Sequence, residues 1–192
     1  MPIDASAFGS FNKIMRLKTL HLLFAAVLLA ALWSACAARA DEESARKYPI
    51  LSAYIYNFTQ FTTWPSADAH DAYTVCVAGH DPFGAALEPM KSRTVQGKKI
   101  VIRRFGGGDD LSGCSIAFIS KSESGNFRAI LARLKGAPVL TMSEIDGFSS
   151  AGGMVEFKPA NGKIGITIDL SAVRATGLSI SSKLLSLANV RG

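Results

Sequence analysis

The chain has 192 residues, 48% of them hydrophobic, and carries 21 Lys and Arg against 15 Asp and Glu, a formal net charge of +6. Lys13, Arg16, Lys18 and Arg39 stand against the single acid Asp4 in the first forty residues, a local excess of +3 that leaves only +3 for residues 41–192. So mild a balance does not point to nucleic acid, and the length suits one domain with one substantial core.

In chain order, Lys13, Arg16 and Lys18 form a positive region, Leu20 to Leu32 is an apolar run broken only by His21, and Ala38-Arg39-Ala40 matches an A-x-A cleavage site. This is the pattern of a secretory signal peptide. The apolar run falls short of the about 20 residues that a bilayer-spanning helix needs. Cleavage is therefore expected after Ala40, making residues 1–40 an N-terminal extension and leader and residues 41–192 a single exported domain. Met15 is an alternative start that gives a leader of ordinary length. A lipid anchor on Cys36 is the competing expectation, but the place three residues before it, where a lipobox wants an aliphatic side chain, holds Trp33.

From Arg46 to Phe61, apolar residues at three- and four-residue steps predict an amphipathic helix, ended by Pro65. Tyr73 to Ala78 predicts a strand. Asp81 and Pro82 are suited to the N-cap and first position of a short helix through Leu87. Gln96-Gly97 predicts a turn, Lys98 to Phe105 a strand, Gly106 to Asp110 a loop, Cys114 to Ser120 a strand, Gly125 to Leu134 a helix and Val139 to Met142 a strand. Asn161-Gly162 is a hairpin signal between Met154–Lys158 and Ile164–Ile168. Ser171 to Val190 is expected to be helical with a break at Gly177. The predicted fold is α/β, a three-layer sandwich whose mixed, largely parallel sheet is flanked by helices, with one antiparallel hairpin in the C-terminal half.

Once Cys36 leaves with the leader, Cys76 and Cys114 remain in an oxidising compartment, each in a β-type run. A disulfide between them is the natural expectation, and two buried free thiols are the alternative. Catalytic constellations are not legible. His70 and His80 have no nucleophile in a recognisable local setting, Asp68-x-His70-Asp71 reads as a solvated loop rather than a metal site, and Gly106-Gly107-Gly108 lacks the Lys-Ser/Thr of a phosphate loop. No cofactor is expected.

Aromatic and glycine clusters carry a resemblance. Tyr54-Ile-Tyr56-Asn57-Phe58-Thr-Gln-Phe61-Thr-Thr-Trp64-Pro65, Cys76-Val-Ala-Gly79-His-Asp81-Pro82-Phe83-Gly84, Cys114-Ser-Ile-Ala-Phe-Ile119-Ser120 and Gly136-Ala-Pro138-Val-Leu140-Thr occur in order. Gly147-Phe148-Ser-Ser-Ala-Gly152-Gly153-Met154-Val155-Glu-Phe157, Ile168-Asp-Leu170 and Leu178-Ser-Ile-Ser181-Ser182-Lys183-Leu184-Leu185 follow. The series resembles the YfiR family of bacterial periplasmic regulators. That resemblance implies a periplasmic repressor, not an enzyme, that acts on the periplasmic domain of a transmembrane diguanylate cyclase and lowers cyclic di-GMP and biofilm formation. One departure is visible: some members have a second cysteine pair around the Gly-Gly segment, where this chain has Ser149, Ser150 and Glu156.

Tyr54, Phe58 and Phe61 are expected first as core residues, and Gly152-Gly153 as a backbone device. Asn57, a polar group among aromatics on one helix, is expected either to bracket the structure or to contact a ligand. With Asn57, the residues taken as partner or ligand contacts are Trp64, Arg174 and Lys183. Two functions compete: a repressor docking on a cyclase, and a small-molecule sensor in which first-helix aromatics and Lys183 line a pocket. Either function admits a homodimer.

Overall fold

A computed structural model of the chain describes residues 45–65, 71–160 and 163–192. The expected leader with its Ala40 cleavage site, Met15, Cys36, His70 and the expected Asn161-Gly162 turn lie outside those residues. Residues 48–192 fall into one compact unit, which holds the sheet.

Helix α1 spans residues 45–61. The strands are β1 (Thr62–Thr63), β2 (Ala72–Ala78), β3 (Thr94–Val95), β4 (Lys98–Phe105), β5 (Ile116–Ile119), β6 (Leu140–Ser143), β7 (Val155–Ala160), β8 (Lys163–Asp169), β9 (Ser179–Ile180) and β10 (Asn189–Arg191). The further helices are α2 (Glu88–Lys91), α3 (Phe127–Arg133), α4 (Leu170–Arg174) and α5 (Ser182–Leu185). Eight strands form one sheet in the order β10-β8-β7-β6-β5-β2-β4-β3, parallel except at the β7–β8 and β3–β4 pairs, while β1 and β9 form a separate antiparallel pair.

Successive side chains of a strand point to opposite faces, and the central strands here are buried on both. Val75, Val77, Ile116, Phe118, Leu140 and Met142 pack into one core with Leu51, Ile55 and Phe58 of α1. Cys76, Ala78, Ala117 and Ile119 pack into the other with Phe127 and Ile130 of α3 and with Phe148. Two cores on opposite faces of one sheet make the three layers the sequence predicts. The strand alternation buries both faces, with the buried polar residues Thr141, Ser143 and Glu156 together on the β6–β7 part of one of them.

Three features depart from the sequence-based expectation. The segment from Ser171 to Val190 is not helical around one break: α4 and α5 are separated by β9, and the chain closes with β10 alongside β8. Leu178 and Ile180 are buried and Ser179 is exposed, a two-residue alternation that fits a strand against α1's exit better than a helical stripe. A second hairpin, β3–β4, caps the opposite edge of the sheet. Its turn residues Gln96 and Gly97 have φ of 51° and 78°, the left-handed pair that a tight two-residue hairpin needs. Asp81 receives the Phe83 amide at 2.8 Å, but the expected helix begins as a 3-10 turn at Gly84–Leu87 before α2. The glycine loop at 106–108 is tied to α3, since Arg133 donates to the Gly107 and Gly108 carbonyls at 2.6 and 2.8 Å.

Cys76 and Cys114 are joined by a disulfide, with Cα atoms 6.0 Å apart. Parallel pairing of β2 with β5 brings them there, as Val75 lies beside Ile116 and Cys114 stands just before β5.

Around the Gly-Gly segment, where the resemblance draws attention to a second cysteine pair, a buried carboxylate ties the backbone instead. Glu156 is 1% exposed. Its carboxylate accepts from the Gly147 amide at 3.0 Å, from the Ser149 amide at 2.8 Å, from the Ser149 hydroxyl at 2.7 Å and from Lys158 Nζ at 2.8 Å. Gly152 turns the chain at φ 97°, and a Cβ on Gly153 would run into the Phe148 ring, so no side chain fits there. Burial pushes the Glu156 carboxyl up. The hydrogen bonds from Lys158, the Ser149 hydroxyl and the two amides outweigh it and hold the group below its ordinary value of 4.5. A depressed carboxyl stabilises the fold above the unfolded value and loses that contribution as pH falls through the folded one. Glu156→Gln is therefore expected to cost on the order of 2 kcal/mol at neutral pH. It should also flatten the acid limb of a melting-temperature profile recorded downward from pH 7; an unchanged limb would remove Glu156 from the account.

Candidate functional site

The face of α1 turned from the core is a candidate docking surface. Leu51, Ile55 and Phe58 are buried, which leaves Ile50, Ala53, Tyr56, Asn57 and Gln60 along the outer side. Residues 45–61 contain no Asp or Glu.

Cations from distant segments cover two rings in the C-terminal half of this helix. The Arg93 guanidinium carbon lies 4.6 Å from the Tyr56 ring centre, and Lys183 Nζ lies 5.2 Å from that of Phe61. Both are exposed. Gln60 Nε2 donates to the Tyr56 hydroxyl at 2.9 Å, holding that ring's polar end against the helix. A cation over an aromatic face keeps most of its charge available to a third group, so an incoming carboxylate would meet two cations, two rings and an amide.

The residues singled out from the sequence fall into three environments. Asn57 stands four residues before Phe61, hence on the same side of α1, and Lys183 covers that ring, so these two share the face. Asn57 is half-buried, and among the described residues its side chain makes no hydrogen bond, which leaves the bracket role without a partner. Trp64 belongs to the core instead: it is 7% exposed, its ring packs on Tyr73 at 5.3 Å, and Nε1 donates to the Ser115 carbonyl at 3.1 Å. A cavity of about 60 Å³ lies beside it, too small for more than ordered water. Arg174 is exposed on α4 and has no ion-pair partner among the described residues.

Arg93 and Tyr56 were not singled out from the sequence. A tyrosine one residue before Asn57 was the available signal, but nothing local marks Arg93, which reaches α1 only through the sheet.

A groove of about 330 Å³ opens between α3 and α4, floored by Leu131, Leu134, Met154 and Ala172 with Arg128 and Lys135 among its lining. None of Tyr56, Asn57, Phe61 and Lys183 lines it.

Fold and face together define a three-layer α/β domain, tied by one disulfide, with an acid-free aromatic helix on its surface. No described helix is long and apolar enough to cross a membrane. Residues 48–189 match the family described as YfiR/HmsC-like, and the chain belongs to that family. No curated protein matches it.

Proposed function

We propose that this chain is an exported periplasmic repressor that binds the periplasmic domain of an inner-membrane diguanylate cyclase and so lowers cyclic di-GMP and biofilm formation. Family membership over residues 48–189 carries the reading. The leader pattern and the Cys76–Cys114 bridge support the compartment, since such bonds persist where the medium oxidises thiols. Residues 41–192 act as one binding domain and need no cofactor.

Repression across a bilayer requires the repressor to bind one state of the cyclase better than the other, because only a differential affinity shifts an equilibrium. The acid-free face of α1, with Asn57, Lys183 and Arg93, is the docking surface of this proposal, and Arg174 is a second exposed contact. In a strain expressing the cyclase, a clean deletion of the gene is expected to raise cyclic di-GMP. Complementation with Lys183→Glu or Arg174→Glu should restore the low level poorly, although both proteins melt like the parent, because exposed charges chiefly tune association. If the deletion leaves cyclic di-GMP unchanged, the repressor reading fails. The small-molecule sensor, whose support is the groove between α3 and α4, then becomes the better account.

A further inference from the structure

The outer edge of β4 is open. β3 pairs only with Lys98 and Lys99, and among the described residues no strand continues along Ile100–Phe105. The Gly79 amide donates to the Phe105 carbonyl at 2.8 Å, so Phe105, and with a period of two Arg103 and Val101, face β2 through their backbone. Ile102 and Arg104 therefore turn their N–H and C=O outward, where neither makes a backbone hydrogen bond to a described residue. Unpaired edges of this kind are what an added strand recognises.

Side chains beside that edge set the chemistry of the added strand. Lys99, Val101 and Arg103 lie on one face at two-residue spacing, all exposed, with Val101 at 42%. Arg103 stacks over Phe105 at 4.8 Å, and neither Arg103 nor Lys99 has a carboxylate partner among the described residues. Arg104, on the other face, is held by Asp81 at 2.7 Å. The free face thus reads cation, aliphatic, cation.

We infer that the β4 edge is a β-augmentation site for an extended segment of a partner protein that carries two acidic residues flanking an aliphatic one at alternate positions. A second copy of this chain suits the edge less well than an acidic strand: antiparallel pairing of two β4 edges about Val101 would set Lys99 against Arg103 on both sides, like charges directly opposed destabilise a pair, and pairing about Ile102 would leave both cations without a carboxylate. The edge is distinct from the α1 face and does not depend on the partner being a cyclase.

The test uses the mature protein and three synthetic peptides. One is Thr-Glu-Thr-Val-Thr-Glu-Thr, the second has Lys for both Glu, and the third is the acidic peptide N-methylated at alternate residues. Only the acidic peptide should shift the Ile102 and Arg104 amide resonances and slow their exchange. The Lys peptide and the N-methylated peptide should each bind at least about tenfold more weakly, the first through charge and the second through lost backbone pairing. Protein carrying Lys99→Glu and Arg103→Glu, verified as folded by its melting temperature, should prefer the Lys peptide. The inference is overturned if the acidic peptide does not bind, binds equally well when N-methylated, or perturbs residues away from β4. A dimer of this chain formed through β4 would overturn it too.

Discussion

Phe58→Ala is expected to lower stability by roughly 3 to 5 kcal/mol, among the larger effects available to a single side chain in this protein. The ring has no exposed surface and meets the Phe157 ring edge-on at 6.4 Å between centres, where it joins α1 to the middle of β7. Truncation removes the burial of the ring and leaves a cavity that neighbours fixed in sheet register cannot fill. For a domain of this size the midpoint of thermal unfolding should fall by roughly 10 to 20 °C. Ile50→Ala, on the outer side of the same helix and about half exposed, should change the midpoint little. If the two substitutions have equal effects, α1 does not bury the face assigned to it.

Replacing Cys76 and Cys114 together by Ala should cost about 4 kcal/mol, the chain-entropy value for closing a loop of this length. The residues are 38 apart in sequence. Both lie in the core shared with α3, so the substituted side chains stay buried and the loss should register chiefly as a destabilised fold rather than a rearranged one. Labelling the unreduced, denatured protein with a thiol reagent should find neither cysteine reactive. Two reactive thiols per chain would leave the core filled by free cysteines and make the double substitution nearly silent.

Much of the sheet could be read from the chain because its strands are short apolar runs bounded by turn residues. Lys98–Phe105 begins and ends where the sequence places it. The C-terminal segment could not be read in this way. Strands of two and three residues leave no periodicity to detect, and β9 and β10 exist only because β1 and β8 offer them edges. Site residues divide along the same line. Asn57 announces itself as a polar residue among aromatics in one helix, whereas the pairing of Tyr56 with Arg93 joins segments far apart in sequence. Glu156 was visible only as a place where cysteine is missing. An acid between Val155 and Phe157 on a buried strand was the sharper clue, since such a residue must find several donors.

The β1–β9 pair has a consequence for the order in which the molecule is assembled. Thr62 and Thr63, directly after α1, hydrogen-bond with Ser179 and Ile180, and the Ser181 amide donates to the Phe61 carbonyl at 2.8 Å. The start of the domain is thus latched by nearly its last residues. Synthesis delivers α1 early, but β9, the strand that secures its end, follows only after β8. Contacts of such long sequence separation slow folding, so the end of α1 stays unlatched after its apolar side has found the central strands. The exit of α1 is thus the part of that helix most open to proteases in the interval before the latch closes.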